Sequence, residues 1–319
     1  MLTLSLRLSL RASPRCALPS PLWRALPLPL WYRLRVLLFL SLSSPAFSLA
    51  APQETPEPPS FTLSEALFQG LPRRAVEVST DPFYRAGALH AEGYSLRALF
   101  ERELNAEQRA HPERYLVRFV CSDGYKTSFP FSTILDGEPV LADRLLSYAD
   151  SEGTPLPLTP NQPWPTRQRG RSSAHAGPYY LLWHGERYGN LRRPWPYQLT
   201  RIDLLPVSHL SALEPPPLAE VGAGHQLYRT YCKSCHSVNL VGGQLGPELN
   251  VPQNILSYRD RARLFAFIRD PSSFRYGSKM PGTRHLNDAQ VNQILDYLQA
   301  MAGRQVCDSA ETCRALAGH

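Results

Sequence analysis

The sequence predicts a multidomain chain in which an α+β domain precedes an all-α domain. Two proline-rich stretches, APQETPEPPS at 51–60 and SALEPPPLAE inside a linker at 208–220, cannot build a core and so divide the chain. Between them, over 61–207, aromatic and branched strand-like runs are interspersed with short helical patterns. Beyond the second linker, over 221–303, the spacing reads as helical, and 304–319 is left as a tail. At 319 residues the chain has the length for two domains, each with its own core.

The first segment, 1–50, carries six arginines and no acid, then the apolar run VLLFLSL and the small residues SSPAFSLA. That order is the pattern of an export signal cleaved near Ala50, and the run is short for a membrane span. The expectation is a protein exported to the periplasm, attached to a membrane only if the leader stays uncleaved. Outside this segment 34 − 6 = 28 basic residues face 27 acidic ones, which removes the electrostatic ground for nucleic-acid binding.

Within 61–207, SLRALFERELNAEQ (95–108) has apolar residues at helical spacing in Leu96, Leu99, Phe100 and Leu104. YLVRFVCSDGYKTSFPF reads as two strands about the turn Ser122-Asp123-Gly124. VLADRLLSYADSEG reads as a helix ending near Gly153, and Pro155–Arg171 as a loop. GPYYLLWHG and WPYQLTRIDLLPV are the strongest strands. Cys121 reads as a buried, apolar thiol, His184 as a packed strand histidine and His175 as solvated. In an oxidising compartment Cys307 and Cys313 are close enough in sequence to form a small disulfide loop, and Cys16 leaves with the leader.

The chemistry concentrates at YCKSCHS. Cys232 and Cys235 share one face of a helical turn and His236 follows at once, the spacing of covalent c-type haem attachment. A zinc site needs a second ligand pair, and neither a CxxC nor an HxxxH follows. A redox dithiol needs a βαβ context, whereas a glycine-rich loop, VNLVGGQLGPELN, comes next. Past the leader the methionines are Met280 and Met301. Met301 lies on the apolar stripe of LNDAQVNQILDYLQAM, a helix capped by Asn287, whereas Met280 sits in a polar loop where a thioether ligand to iron gives it a purpose. His285 is the rival sixth ligand. Arg275, Lys279 and Arg284 form either a docking patch for an acidic partner or a solvated rim.

Taken together, GAGHQLYRTYCKSCH, LGPEL, YGSKMPG and the closing helix resemble the class I cytochrome c family over Val221–Gly303. The resemblance implies one covalent haem c and ligation of its iron by His236 and Met280. It also implies a Pro247 carbonyl that orients the imidazole, and close packing of Tyr297 on Gly224. With both axial positions filled, such a haem transfers electrons and has no open site for substrate.

Residues from about Asp81 to Val207 resemble the sulfite-oxidase-like molybdopterin-binding fold through EGYSLRALFE, FVCSDGYKTSFPF, VLADRLLSYADSEGTPL and AGPYYLLWHGERYGN. The chain departs from it in having no cysteine between Ala51 and Val120, and in placing Tyr179 and Tyr180 where that family has an arginine. The expectation is therefore a domain without molybdopterin that docks or supports a periplasmic monohaem cytochrome, whose partner is a periplasmic redox protein or dehydrogenase. The alternative is a molybdenum oxidoreductase that passes electrons to its own haem. A third reading is a gas sensor in which Met280 dissociates.

Overall fold

The structure is a computed structural model that describes residues 58–306 apart from 80, 85–87, 150–153, 160–163, 170–171, 184–193 and 218–219. The expectations for the leader, most of the first linker, Cys16, His184 and the Cys307–Cys313 pair lie outside the described residues.

Short capped helices and antiparallel strands make up the first domain. β1 (Ser60–Thr62) leads into α1 (Glu65–Phe68), where the Ser64 hydroxyl accepts from the Leu67 amide. β2 (Arg73–Val78) pairs with β3 (Leu89–Ser95). The single helix expected over 95–108 is divided into α2 (Leu96–Glu103) and α3 (Ala106–Ala110). Leu104 turns extended and buries its side chain, and Asn105 restarts the chain as an N-cap in a reciprocal capping box with Gln108. β4 (Tyr115–Cys121) and β5 (Lys126–Pro130) form the expected hairpin, followed by α4 (Phe131–Gly137).

The expected helix at VLADRLLSYADSEG is instead a strand, β6 (Val140–Ala149). It pairs with β3 on one side, and Val140, Leu141 and Ala142 are wholly buried. An unbroken apolar run covered on both faces fits a central strand as well as a helix, and only pairing across the sheet decides between them. The loop expected over 155–171 likewise contains β7 (Pro155–Pro157), which pairs with β6, and β8 (Arg167–Arg169), which forms a hairpin with β9 (Ser172–Ala174). β10 (Tyr180–Leu182) and β11 (Leu199–Pro206) fall in the two runs expected as strands.

These strands assemble into two antiparallel sheets, ordered β1-β11-β4-β5 and β10-β6-β3-β2. Phe129 meets Trp183, which follows β10, edge-on at 5.2 Å and so links the two sheets, and Phe119 packs edge-on against Phe129 at 5.9 Å within the first. The result is the mixed α and β region that the sequence predicts.

A 3-10 helix, Val207–Leu213, occupies the start of the expected linker and buries Leu213 in the second core. Then come α5 (Gly222–Tyr231), a two-residue ladder of β12 (Ser237–Val238) and β13 (Val241–Gly242), α6 (Ile255–Tyr258), α7 (Arg261–Arg269), α8 (Pro271–Phe274) and α9 (Asp288–Met301). The small ladder is an addition to an otherwise helical region. Its turn puts Asn239 and Leu240 at φ 53° and 67°, the left-handed pair that a two-residue hairpin requires. Leucine resists that conformation, and Glu248 holds it there by accepting from the amides of Asn239 and Leu240 at 3.0 and 3.1 Å.

α5 and α9 cross at Gly224. A Cβ at this position would lie 1.9 Å from the Gln293 carbonyl oxygen and 3.1 Å from the Tyr297 Cβ. Tyr297 is fully buried, stacks on His225 at 5.2 Å and donates its hydroxyl to the Leu213 carbonyl at 2.8 Å. α9 begins at the expected Asn287 cap and buries Val291, Ile294, Leu295, Leu298 and Met301. Among the described residues no helix is long and apolar enough to cross a membrane.

Candidate functional site

The site is built where α5 runs out. The amides of Cys232 and Lys233 bond back to the Tyr228 carbonyl, and those of Cys235 and His236 to the Cys232 carbonyl at 3.0 and 2.9 Å. This continued winding gathers Cys232, Cys235 and His236 on one loop. Both thiols are unbridged and half-buried. Burial pushes the Cys232 thiol up to about 12, and burial with the neighbouring Asp123 carboxylate also raises that of Cys235.

His236 Nδ1 lies 2.9 Å from the Pro247 carbonyl oxygen. A carbonyl can only accept, so Nδ1 carries the proton and Nε2 presents a lone pair. Burial lowers the imidazole's pKa, and the Pro247 bond and the Glu248 charge only partly oppose it, so the ring favours the neutral form in which a metal could be bound. The ring face rests on Gly246, where a Cβ would come within 2.3 Å of its Cε1. Gly243 and Gly242 pass equally close to the Ser234 and His236 carbonyls, at 2.0 and 2.2 Å for their absent Cβ atoms. Main-chain bonds bind the two strands of chain together: Gly243 to Lys233, Gly246 to Cys235 and Leu249 to Ser237.

Two supports went unread in the sequence. Glu248 accepts from four backbone amides, those of Asn239, Leu240, Asn250 and Val251, at 2.8–3.1 Å. A ladder of buried asparagines completes the frame. Asn254 donates to Asn250 and to the Leu298 carbonyl, Asn250 to Asn239 and the Met301 carbonyl, and Asn239 to the Ala212 and Arg304 carbonyls, all at 2.7–2.9 Å. The ladder therefore satisfies carbonyls at the C-terminal end of α9, which a helix leaves unpaired. The asparagines at turn-like positions read as ordinary loop residues, and only their shared burial marks them.

Met280 is half-buried in the loop before α9. Thr283 anchors that loop, donating to the Ile268 carbonyl at 3.0 Å and accepting from Arg269 at 3.0 Å. His285 is exposed, its ring 4.9 Å from that of Tyr231. Arg275, Lys279 and Arg284 are also exposed, and Arg284 makes a loose 3.8 Å pair with Asp270. Along α7, Leu264, Phe265 and Ile268 are half-buried and pack on the second core, and Phe267 meets Phe274 edge-on at 5.7 Å. Two thiols followed at once by an imidazole whose Nε2 lone pair is presented fit the attachment and one axial ligand of a c-type haem, and Met280 offers a thioether on a separate loop.

In the first domain, Cys121 ends β4 buried, and burial pushes its thiol up to about 12. Tyr179 and Tyr180 are buried, with the Tyr180 hydroxyl donating to Asp81. His175 is exposed. The turn after Cys121 rests on the cysteine loop: the Lys126 amide donates to the Ser234 carbonyl at 2.9 Å, and the Gln244 amide to the Gly124 carbonyl at 2.7 Å. No curated protein matches the chain. Residues 219–298 match the family model described as cytochrome C oxidase, cbb3-type, subunit III, which identifies the carboxy-terminal region as a cytochrome c domain, a domain that implies haem c and suggests electron transfer.

Proposed function

We propose that this protein is an exported, periplasmic c-type cytochrome with one covalent haem, which passes single electrons between redox proteins. The 2.9 Å bond from His236 to Pro247, made directly after two free thiols, carries this reading. Cys232 and Cys235 would hold the porphyrin through thioethers, while His236 Nε2 and the Met280 sulfur would ligate its iron. Haem c, when bound, supplies a one-electron iron couple. The chain's own residues fix where that couple sits: Pro247 orients the imidazole, Gly246 stops the ring from tilting, and Glu248 holds the loop that bears Pro247.

The first domain is proposed as a sulfite-oxidase-like module that works without molybdopterin and positions the cytochrome on a periplasmic redox partner or dehydrogenase. The absence of cysteine from 51–120 supports it. The full chain, produced with a c-type maturation system, should carry about one iron and no molybdenum, retain its haem on a denaturing gel, and lose it in the Cys232→Ala/Cys235→Ala variant. Stoichiometric molybdenum would return the oxidoreductase alternative, and a chain without covalent haem would overturn the electron-transfer reading.

A further inference from the structure

The contact between the β4–β5 turn and the cysteine loop goes beyond domain packing. Gly124 has φ +90°, and a Cβ there would fall 2.9 Å from the Gln244 carbonyl carbon, so the turn's main chain lies directly on the segment that flanks the haem ligands. The two main-chain bonds grip that region from both sides: Lys126 holds Ser234 inside the CxxCH loop, and Gly124 holds Gln244 in the glycine-rich return. Tyr125 is half-buried beside them. Asp123 is fixed in orientation because its Oδ1 accepts from the Tyr125 amide at 2.9 Å, and it directly precedes Gly124, whose main chain lies against Gln244.

We propose that the Ser122–Lys126 turn of the first domain is a built-in cap on the haem-attachment loop, which fixes that loop and keeps the Asp123 carboxylate, next to Gly124, close to it, where its charge would favour oxidised haem. The proposal rests on the c-type haem reading. Oxidised haem carries one more positive charge than reduced haem, so a nearby carboxylate stabilises it and lowers the potential. Asp123 is solvent-exposed, which keeps the effect small.

The test uses the full-length, haem-loaded chain. Asp123→Asn should leave haem content and the amide exchange of Lys126 and Gln244 unchanged. At a fixed potential it should raise the ratio of reduced to oxidised haem about threefold, ~30 mV for one electron. Gly124→Ala should speed exchange at the Lys126 and Gln244 amides, because the cap cannot seat. Should that variant fail to fold, Asp123→Asn and the wild-type exchange rates still decide the matter. A haem-bearing Asp123→Asn chain with unaltered potential, or wild-type Lys126 and Gln244 amides that exchange as fast as open loops, overturns the cap alone. A wild-type chain without covalent haem overturns the functional reading and the cap with it.

Discussion

Replacing Gly224 by alanine tests the packing that frames the site. The new Cβ would lie 1.9 Å from the Gln293 carbonyl oxygen, whereas ordinary contact begins at 3.4 Å, so α5 and α9 must part by 3.4 − 1.9 = 1.5 Å or bend. The obstruction is backbone, which cannot rotate away as a side chain could. Overpacking of this kind costs about 1–3 kcal/mol, against about 1 kcal/mol gained from alanine's better helix propensity. The net expectation is a loss of up to about 2 kcal/mol, or a melting temperature lower by roughly 2–4 °C for each kcal/mol in a cooperative unit of two cores. Gly222→Ala is the control, since it lies in the same helix with nothing within 4 Å and should stabilise by about 0.5–1 kcal/mol. Thermal unfolding followed by helical circular dichroism reads both. Equal stabilisation by the two substitutions would refute the reasoning, because it would mean that the helices do not touch at Gly224.

Asn250→Leu should cost about 2–4 kcal/mol in urea unfolding, since it removes two donated bonds and leaves one Asn254 N–H without its acceptor in a buried site; a loss below ~0.5 kcal/mol would show that the ladder is dispensable. Burial acts to raise the Asp203 carboxyl, but the Ser60 hydroxyl at 2.7 Å and the Arg118 and Arg201 guanidiniums at 2.8 Å outweigh it and leave the group below the usual aspartate range. A depressed carboxyl stabilises the fold above its unfolded value of about 3.9 and ceases to do so as pH falls through the folded value. The stability gap between wild type and Asp203→Asn should therefore be widest at about pH 7 and shrink progressively as pH falls below about 3.9, and a constant gap would count against the assignment. Met280→Ala should keep the covalent haem but open an axial position, read as carbon monoxide binding to the reduced protein; an unchanged spectrum would assign the sixth ligand elsewhere.

Local chemistry was legible in the sequence and long-range pairing was not. The Asn287 cap, the α9 stripe and the Gly224–Tyr297 contact follow from spacing or resemblance, because each depends on residues a turn apart or on one helix crossing. β6 reads as a helix in the sequence because VLADRLL fits both periods, and only its pairing with β3 makes it a strand. The break at Leu104 turned on a capping asparagine inside an apparently continuous helix pattern. The seat of the Asp123-Gly124 turn could not be read either, since the same dipeptide serves any hairpin and its partner, Gln244, lies 120 positions away.

The cysteine loop is held chiefly by main chain. Glycines 242, 243 and 246 lie where no side chain fits, and carbonyls of Lys233, Cys235 and Ser237 meet amides of the return segment. The first domain contributes two bonds of the same kind through Gly124 and Lys126. One loop is thus shared by two cores, and displacing either core disturbs it. The consequence is cooperative unfolding, and the chain supplies separate reporters for it. Past residue 50 the tryptophans are Trp164, Trp183 and Trp195, all in the first domain, whereas haem absorption reports the second. If the loop couples the cores, tryptophan fluorescence and haem absorption should trace one denaturant midpoint, and Gly124→Ala should separate the two curves. Midpoints already apart in the wild-type chain would mean that the two bonds are too weak to join the domains, and that the loop's rigidity comes from the cytochrome domain's glycines alone.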